Sequence, residues 1–80
     1  MITQEPSVQL DDYPLLQQSV YDLEDYKRRL GRNFDRATDH HQRVYFFNRY
    51  NETENTIRML CDRYCLKRKY KPHKLDINKV

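Results

Sequence analysis

The side chains with the widest chemical range in this sequence are two cysteines and three histidines: Cys61, Cys65, His40, His41 and His73. Cys61 and Cys65 are four positions apart, which on a helix turns both thiols to one side. Structural zinc sites usually place two residues between paired cysteines and complete the tetrahedron with a second ligand pair. Here three residues intervene, and side chains as close in sequence as His40 and His41 project about 100° apart on a helix, a poor chelate. No metal and no other cofactor is expected, and the cysteines read as packed free thiols in a reducing compartment. Nucleophilic catalysis would need a base beside Cys61 or Cys65 and an oxyanion site. Asp39 next to His40 is too generic a pair to supply them, and a chain of 80 residues makes a poor pocket. The expected role is non-enzymatic.

A second chemistry is phosphate contact. Arg63, Lys67, Arg68, Lys69, Lys71 and Lys74 gather near the C-terminus, with Tyr64 and Tyr70 between them. Lys and Arg neutralise phosphates, and Tyr can stack on unpaired bases. Asp62 interrupts the run, and no cluster of base-reading side chains shares one face, so a salt-sensitive backbone contact fits better than sequence reading. The charge is uneven: residues 1–26 carry six acids and no Lys or Arg, whereas residues 63–80 carry seven basic residues and one acid. An acidic front could mask a basic end until a partner arrives.

A third chemistry is protein association. Phe46, Tyr50, Met59, Leu66 and Tyr70 fall away from the main apolar stripes of their predicted helices, and Arg63 could rim them. Aromatic residues, Met and Arg are enriched in interface cores, and a helix apolar on two sides is buried twice or awaits a partner. The leading expectation is thus an adaptor, inhibitor or assembly subunit that binds a protein or a second copy of itself through this surface. Nucleic-acid binding through Arg63, Lys67, Arg68, Lys69, Tyr70, Lys71 and Lys74 is the runner-up.

The elements that would carry these residues are helical. One Gly and three Pro leave too few turn formers for an all-β domain. Leu16, Val20, Leu23 and Leu30, with Tyr26 beside them, recur at helical spacing and predict a helix over 13–30, with Pro14 in its first turn and Gly31 as its stop. Glu24 with Arg28 and Asp25 with Arg29 are favourable pairs four apart. Asn33 and Asp35 would open a second helix over 34–50, striped by Ala37, His40, Val44 and Phe47. Asn51 and Glu54 resemble a capping box that opens a third over 52–70, striped by Ile57, Leu60, Cys61 and Tyr64 and ended by Pro72. The fold expected is all-α, a small three-helix bundle spanning 12–71, with a flexible acidic arm over 1–11 and a basic tail over 72–80. Within that tail, the alternation Leu75-Asp76-Ile77 could add a strand to a partner's sheet.

A chain of this size buries only ~60–65% of its unfolded surface, so a partner often supplies missing burial. The first residues lack the apolar run of a signal peptide or membrane anchor. A soluble intracellular protein is expected, cytoplasmic, or nuclear if the source is eukaryotic or viral. Scarce Ala and Gly with seven Tyr is a composition met in viral and mobile-element genes.

Overall fold

A computed structural model describes residues 12–76 and Asn78. The expected arm over 1–11 lies outside the described residues, as do Ile77, Lys79 and Val80. Two helices, α1 (Asp12–Arg36) and α2 (His40–Tyr64), pack antiparallel as a hairpin joined by residues 37–39. Each holds 25 residues, or about 37 Å of helix. The all-α class holds, but the three-helix bundle over 13–30, 34–50 and 52–70 does not. The first expected break, at Gly31 to Asn33, lies inside α1, and the second, at Asn51, lies inside α2.

Both misplaced breaks have tertiary causes. Gly31 does not end a helix; it makes room for a ring. A Cβ added there would stand 3.0 Å from Cε2 of Tyr50 on the opposite helix. Asn51 does not cap one either. Its side chain faces the C-terminal segment, and Glu54 is buried among cations. With no Gly or Pro between residues 40 and 64, no residue of α2 costs more than about 0.7 kcal/mol in propensity, so packing carries the helix through.

The true turn is short. Asp39 is the N-cap of α2, its carboxylate accepting the Gln42 amide at 3.2 Å. Arg43 reaches back from α2 to the carbonyls of Phe34 and Ala37, at 3.0 and 3.3 Å, and lies over the Phe34 ring. The last carbonyls of α1 thereby gain donors and a positive charge at the negative end of the dipole.

At the other end, Cys65 adopts the left-handed conformation (φ 56°, ψ 47°) and closes α2, with its own amide and that of Leu66 returning to the Cys61 carbonyl. The Tyr13 hydroxyl meets the carbonyls of Tyr64 and Cys65, each at 2.9 Å. Beyond this turn the chain does not continue as helix to Tyr70. Residues 66–76 return irregularly along the hairpin, and this strap supplies the layer that a third helix was expected to fill. It passes Gln17, then Glu24 of α1, then Tyr50 and Asn51 of α2.

The core is layered along the hairpin. Val20, Ile57 and Leu66 bury near the open end, with Leu16, Leu23, Leu60, Cys61 and Tyr64 packed around them. Leu30 and Phe34 bury towards the turn, where the Phe34 ring lies 6.4 Å from that of Phe47. Between these layers sit four buried polar residues, Glu24, Lys27, Thr53 and Glu54. No helix among the described residues is long and apolar enough to cross a membrane.

Candidate functional site

The central layer is polar because three lines of side chains meet there. Glu24 and Lys27 lie on the inner face of α1, Glu54 on the inner face of α2, and Arg68 on the strap. The Lys27 ammonium donates to Glu54 Oε1 at 2.6 Å. The Arg68 guanidinium grips the same carboxylate as a fork, Nη2 to Oε1 at 2.7 Å and Nη1 to Oε2 at 3.0 Å. Its Nε stands 3.5 Å from Glu24 Oε2. Two carboxylates thus face two cations, and Glu24 and Glu54 are each only 1% exposed.

Glu24 also serves the backbone. Its carboxylate accepts the amide of Lys69 at 2.6 and 3.0 Å and that of Tyr70 at 3.4 Å. Two side-chain amides do similar work elsewhere. Gln17 donates to the Lys67 carbonyl and accepts the Lys67 amide, both at 2.8 Å. Asn51 accepts the Leu75 amide at 2.8 Å and donates to its carbonyl at 3.4 Å. An irregular strap has no helical or sheet partner for its peptide groups, so the helices supply side chains in that role.

Burial pushes the Glu54 carboxyl up, but the hydrogen bonds and charges of Arg68 and Lys27 outweigh it and hold the group at about 2, against an ordinary 4.5. The Arg68 guanidinium is pushed up, chiefly by its hydrogen bonds to Glu54. Burial raises the Tyr50 phenol; the Glu54 charge adds to this and Arg28 opposes it. Burial also raises the Cys61 thiol, which keeps it protonated and a weak nucleophile. Among the described residues no group of three or more His, Cys, Asp or Glu could hold a metal ion.

The ionic layer forms one wall of a cavity of about 200 Å³ between α1, α2 and the strap, lined by Glu24, Lys27, Arg28, Tyr50, Arg68, Tyr70, Lys71 and His73. The Arg28 guanidinium stacks 4.6 Å from the Tyr70 ring centre, and the Lys27 ammonium lies 4.7 Å from that of Tyr50. The Tyr50 hydroxyl meets His73 Nδ1 at 2.9 Å. Glu24 therefore turns to the strap rather than to Arg28, and Asp25 pairs with Lys69 at 3.0 Å rather than with Arg29.

The residues expected to form one contact surface are dispersed. Leu66 lies in the core, 8% exposed. Tyr50 and Tyr70 meet at the cavity just described. Phe46 is half-buried near the turn, beside a hollow shared with Asn33, Arg36, Ala37 and Gln42. Met59, 70% exposed, and Arg63 share an open hollow of about 560 Å³ with Leu60, Asp62 and Tyr64. Of the expected phosphate contacts, Arg68 is committed to Glu54, Lys69 is paired with Asp25 and stacked on Tyr21, and the main chain of Lys67 is held by Gln17. Lys71 and Lys74 are exposed. Sequence reasoning takes Glu24 and Arg28 as a helical pair, Glu54 as a cap and His73 as a candidate metal ligand, and misses both Lys27 and the convergence of all five at one site. The signal was present: Glu24 and Lys27 share the inward sector with Val20 and Leu16, where a charge needs a partner.

Comparison with protein-family models, with curated proteins and with solved structures gave no match to this chain.

Proposed function

We propose that this chain is a small non-enzymatic interaction protein, an adaptor, inhibitor or assembly subunit, which docks a protein partner through the C-terminal end of α2. The observation that supports it is the exposure of Met59 at the mouth of a hollow walled by Leu60 and Tyr64 and rimmed by Asp62 and Arg63. Met, Tyr and Arg together are typical of interface centres, and an unbranched thioether adapts to the shape presented to it. The hollow suits one aliphatic or aromatic side chain of the partner, with rim charges of both signs to orient it. The non-enzymatic reading is supported by the chemistry of the interior. Its carboxylates and cations neutralise each other, and burial holds the Cys61 thiol in its unreactive form.

The test compares affinity capture by the unaltered protein, Met59→Glu and Lys71→Gln, with sedimentation velocity to detect self-association. A captured protein, or a self-associated species, should survive Lys71→Gln and disappear with Met59→Glu at unchanged helix content. Because Met59 is largely exposed, the substitution leaves the core intact. Identical capture and sedimentation for all three proteins would rule the reading out.

A further inference from the structure

We propose that the cavity between α1 and the returning strap binds a compact phosphoryl group, with Arg28, Lys71 and His73 as its donors. This site is separate from the Met59 hollow and does not depend on it.

The local charge balance points to an anion. Lys27 and Arg68 are neutralised by Glu54 and Glu24, and the Glu24 oxygens are further engaged by the amides of Lys69 and Tyr70. Arg28 and Lys71 also line the cavity, and no carboxylate among the described residues pairs with either. Four cations, Lys27, Arg28, Arg68 and Lys71, therefore stand against the two carboxylates of Glu24 and the adjoining Glu54, and the space carries an excess of positive charge.

Donor geometry agrees with the charge. The Arg28 guanidinium lies over the Tyr70 ring, 4.6 Å from its centre, and a guanidinium offers a planar fork suited to two oxygens of one phosphoryl group. The Tyr50 hydroxyl and His73 Nδ1 meet at 2.9 Å, and in the tautomer in which the hydroxyl donates, His73 Nε2 carries a proton and is a further donor.

The size of the cavity favours a terminal phosphoryl group over a polymer backbone. About 200 Å³ is several times the ~30 Å³ that a water molecule occupies in the liquid and smaller than a drug-sized pocket. Its walls come from both helices and the strap, so it is a recess, whereas a nucleic-acid backbone is tracked by an open row of cations. An occupant bridging Arg28 on α1 to Lys71 and His73 would also tie the strap to the hairpin.

The probe is inorganic phosphate, titrated at constant ionic strength into isotopically labelled protein and followed by amide NMR. Saturable shifts should gather at Arg28, Tyr70, Lys71 and His73, with a dissociation constant in the millimolar range or tighter. Lys71→Gln, which breaks no hydrogen bond or ion pair among the described residues, and Arg28→Gln should each weaken binding about tenfold or more. Lys67→Gln, at the far end of the strap, and Met59→Glu should not change it. Absence of saturable shifts, or shifts indifferent to Lys71→Gln, overturns the proposal. A parallel titration uses short single-stranded RNA with and without a terminal phosphate. Binding that requires the terminal phosphate supports the recess. Equal binding of both that also weakens in Lys67→Gln overturns it in favour of a backbone track.

Discussion

Glu54 accepts three charge-assisted hydrogen bonds, one from Lys27 and two from Arg68, where water is nearly absent. Its carboxyl moves from 4.5 in the open chain to about 2 in the folded one. Above pH 4.5 both states are ionised and the stabilisation is fully present. As pH falls below 4.5 the unfolded chain takes up its proton first, so stability declines, and the contribution is gone once pH has passed about 2. The contribution at neutral pH is up to about 3 kcal/mol. Glu54→Gln leaves the buried Lys27 without its counter-charge and Arg68 with Glu24 alone, which costs about 3–5 kcal/mol. Denaturant unfolding across this pH range should therefore show a steep acid loss in the unaltered protein and a lower, flatter profile in Glu54→Gln. Parallel profiles would mean that folding does not lower the affinity of the Glu54 carboxylate for its proton.

At the scale of elements, Gly31 offers a sharp test of why α1 runs past its apparent stop. Replacing Gly by Ala inside a helix gains about 1 kcal/mol of propensity. At position 31, however, the new Cβ would crowd Tyr50 at 3.0 Å, and that ring is held by Lys27 and His73. Gly31→Ala should destabilise the protein as it stands and stabilise it by about 1 kcal/mol in a Tyr50→Ala background, a reversal read by a double-mutant cycle. The same sign in both backgrounds would show that the ring does not impose the glycine. This case explains how much of the fold was legible. The inner stripe of the first helix, Leu16, Val20, Leu23 and Leu30, could be read because one apolar face has one meaning. So could the stripe of Ile57, Leu60, Cys61 and Tyr64. Gly31, Asn51 and Glu54 could not, because the residue types that punctuate helices also make close approaches and side-chain clamps. The supposed outer stripe joining Met59 to Leu66 and Tyr70 dissolved for a related reason. It required α2 to continue, whereas Cys65 turns left-handed and sends Leu66 into the core. Of the candidate sites, the basic residues were visible in the sequence but their pairing was not. Lys69 finds Asp25 and Arg68 finds Glu54 across separations of 44 and 14 residues, distances over which spacing rules say nothing.

On the scale of the whole molecule, the strap completes the hairpin. Leu66 fills the apolar layer at the open end, and Arg68 neutralises the buried acids. A chain ending at Cys65 would leave the charge of Glu24 and part of that of Glu54 without a counter-ion in the interior. Such a truncation should lose cooperative thermal unfolding, monitored by circular dichroism, whereas a chain ending at Asp76 should keep it. A cooperative transition of unchanged midpoint in the shorter chain would make the strap a passenger. Gln17, Glu24 and Asn51 bind this strap through its peptide groups, at Lys67, Lys69, Tyr70 and Leu75. Main-chain recognition of this kind is blind to side-chain identity. It bars only proline from the amide-donating positions, while side-chain contacts constrain Leu66, Arg68, Lys69, Tyr70 and His73 and leave the other strap positions open to evolutionary drift. The hairpin could thus keep its architecture while the chemistry displayed along its returning segment is rewritten.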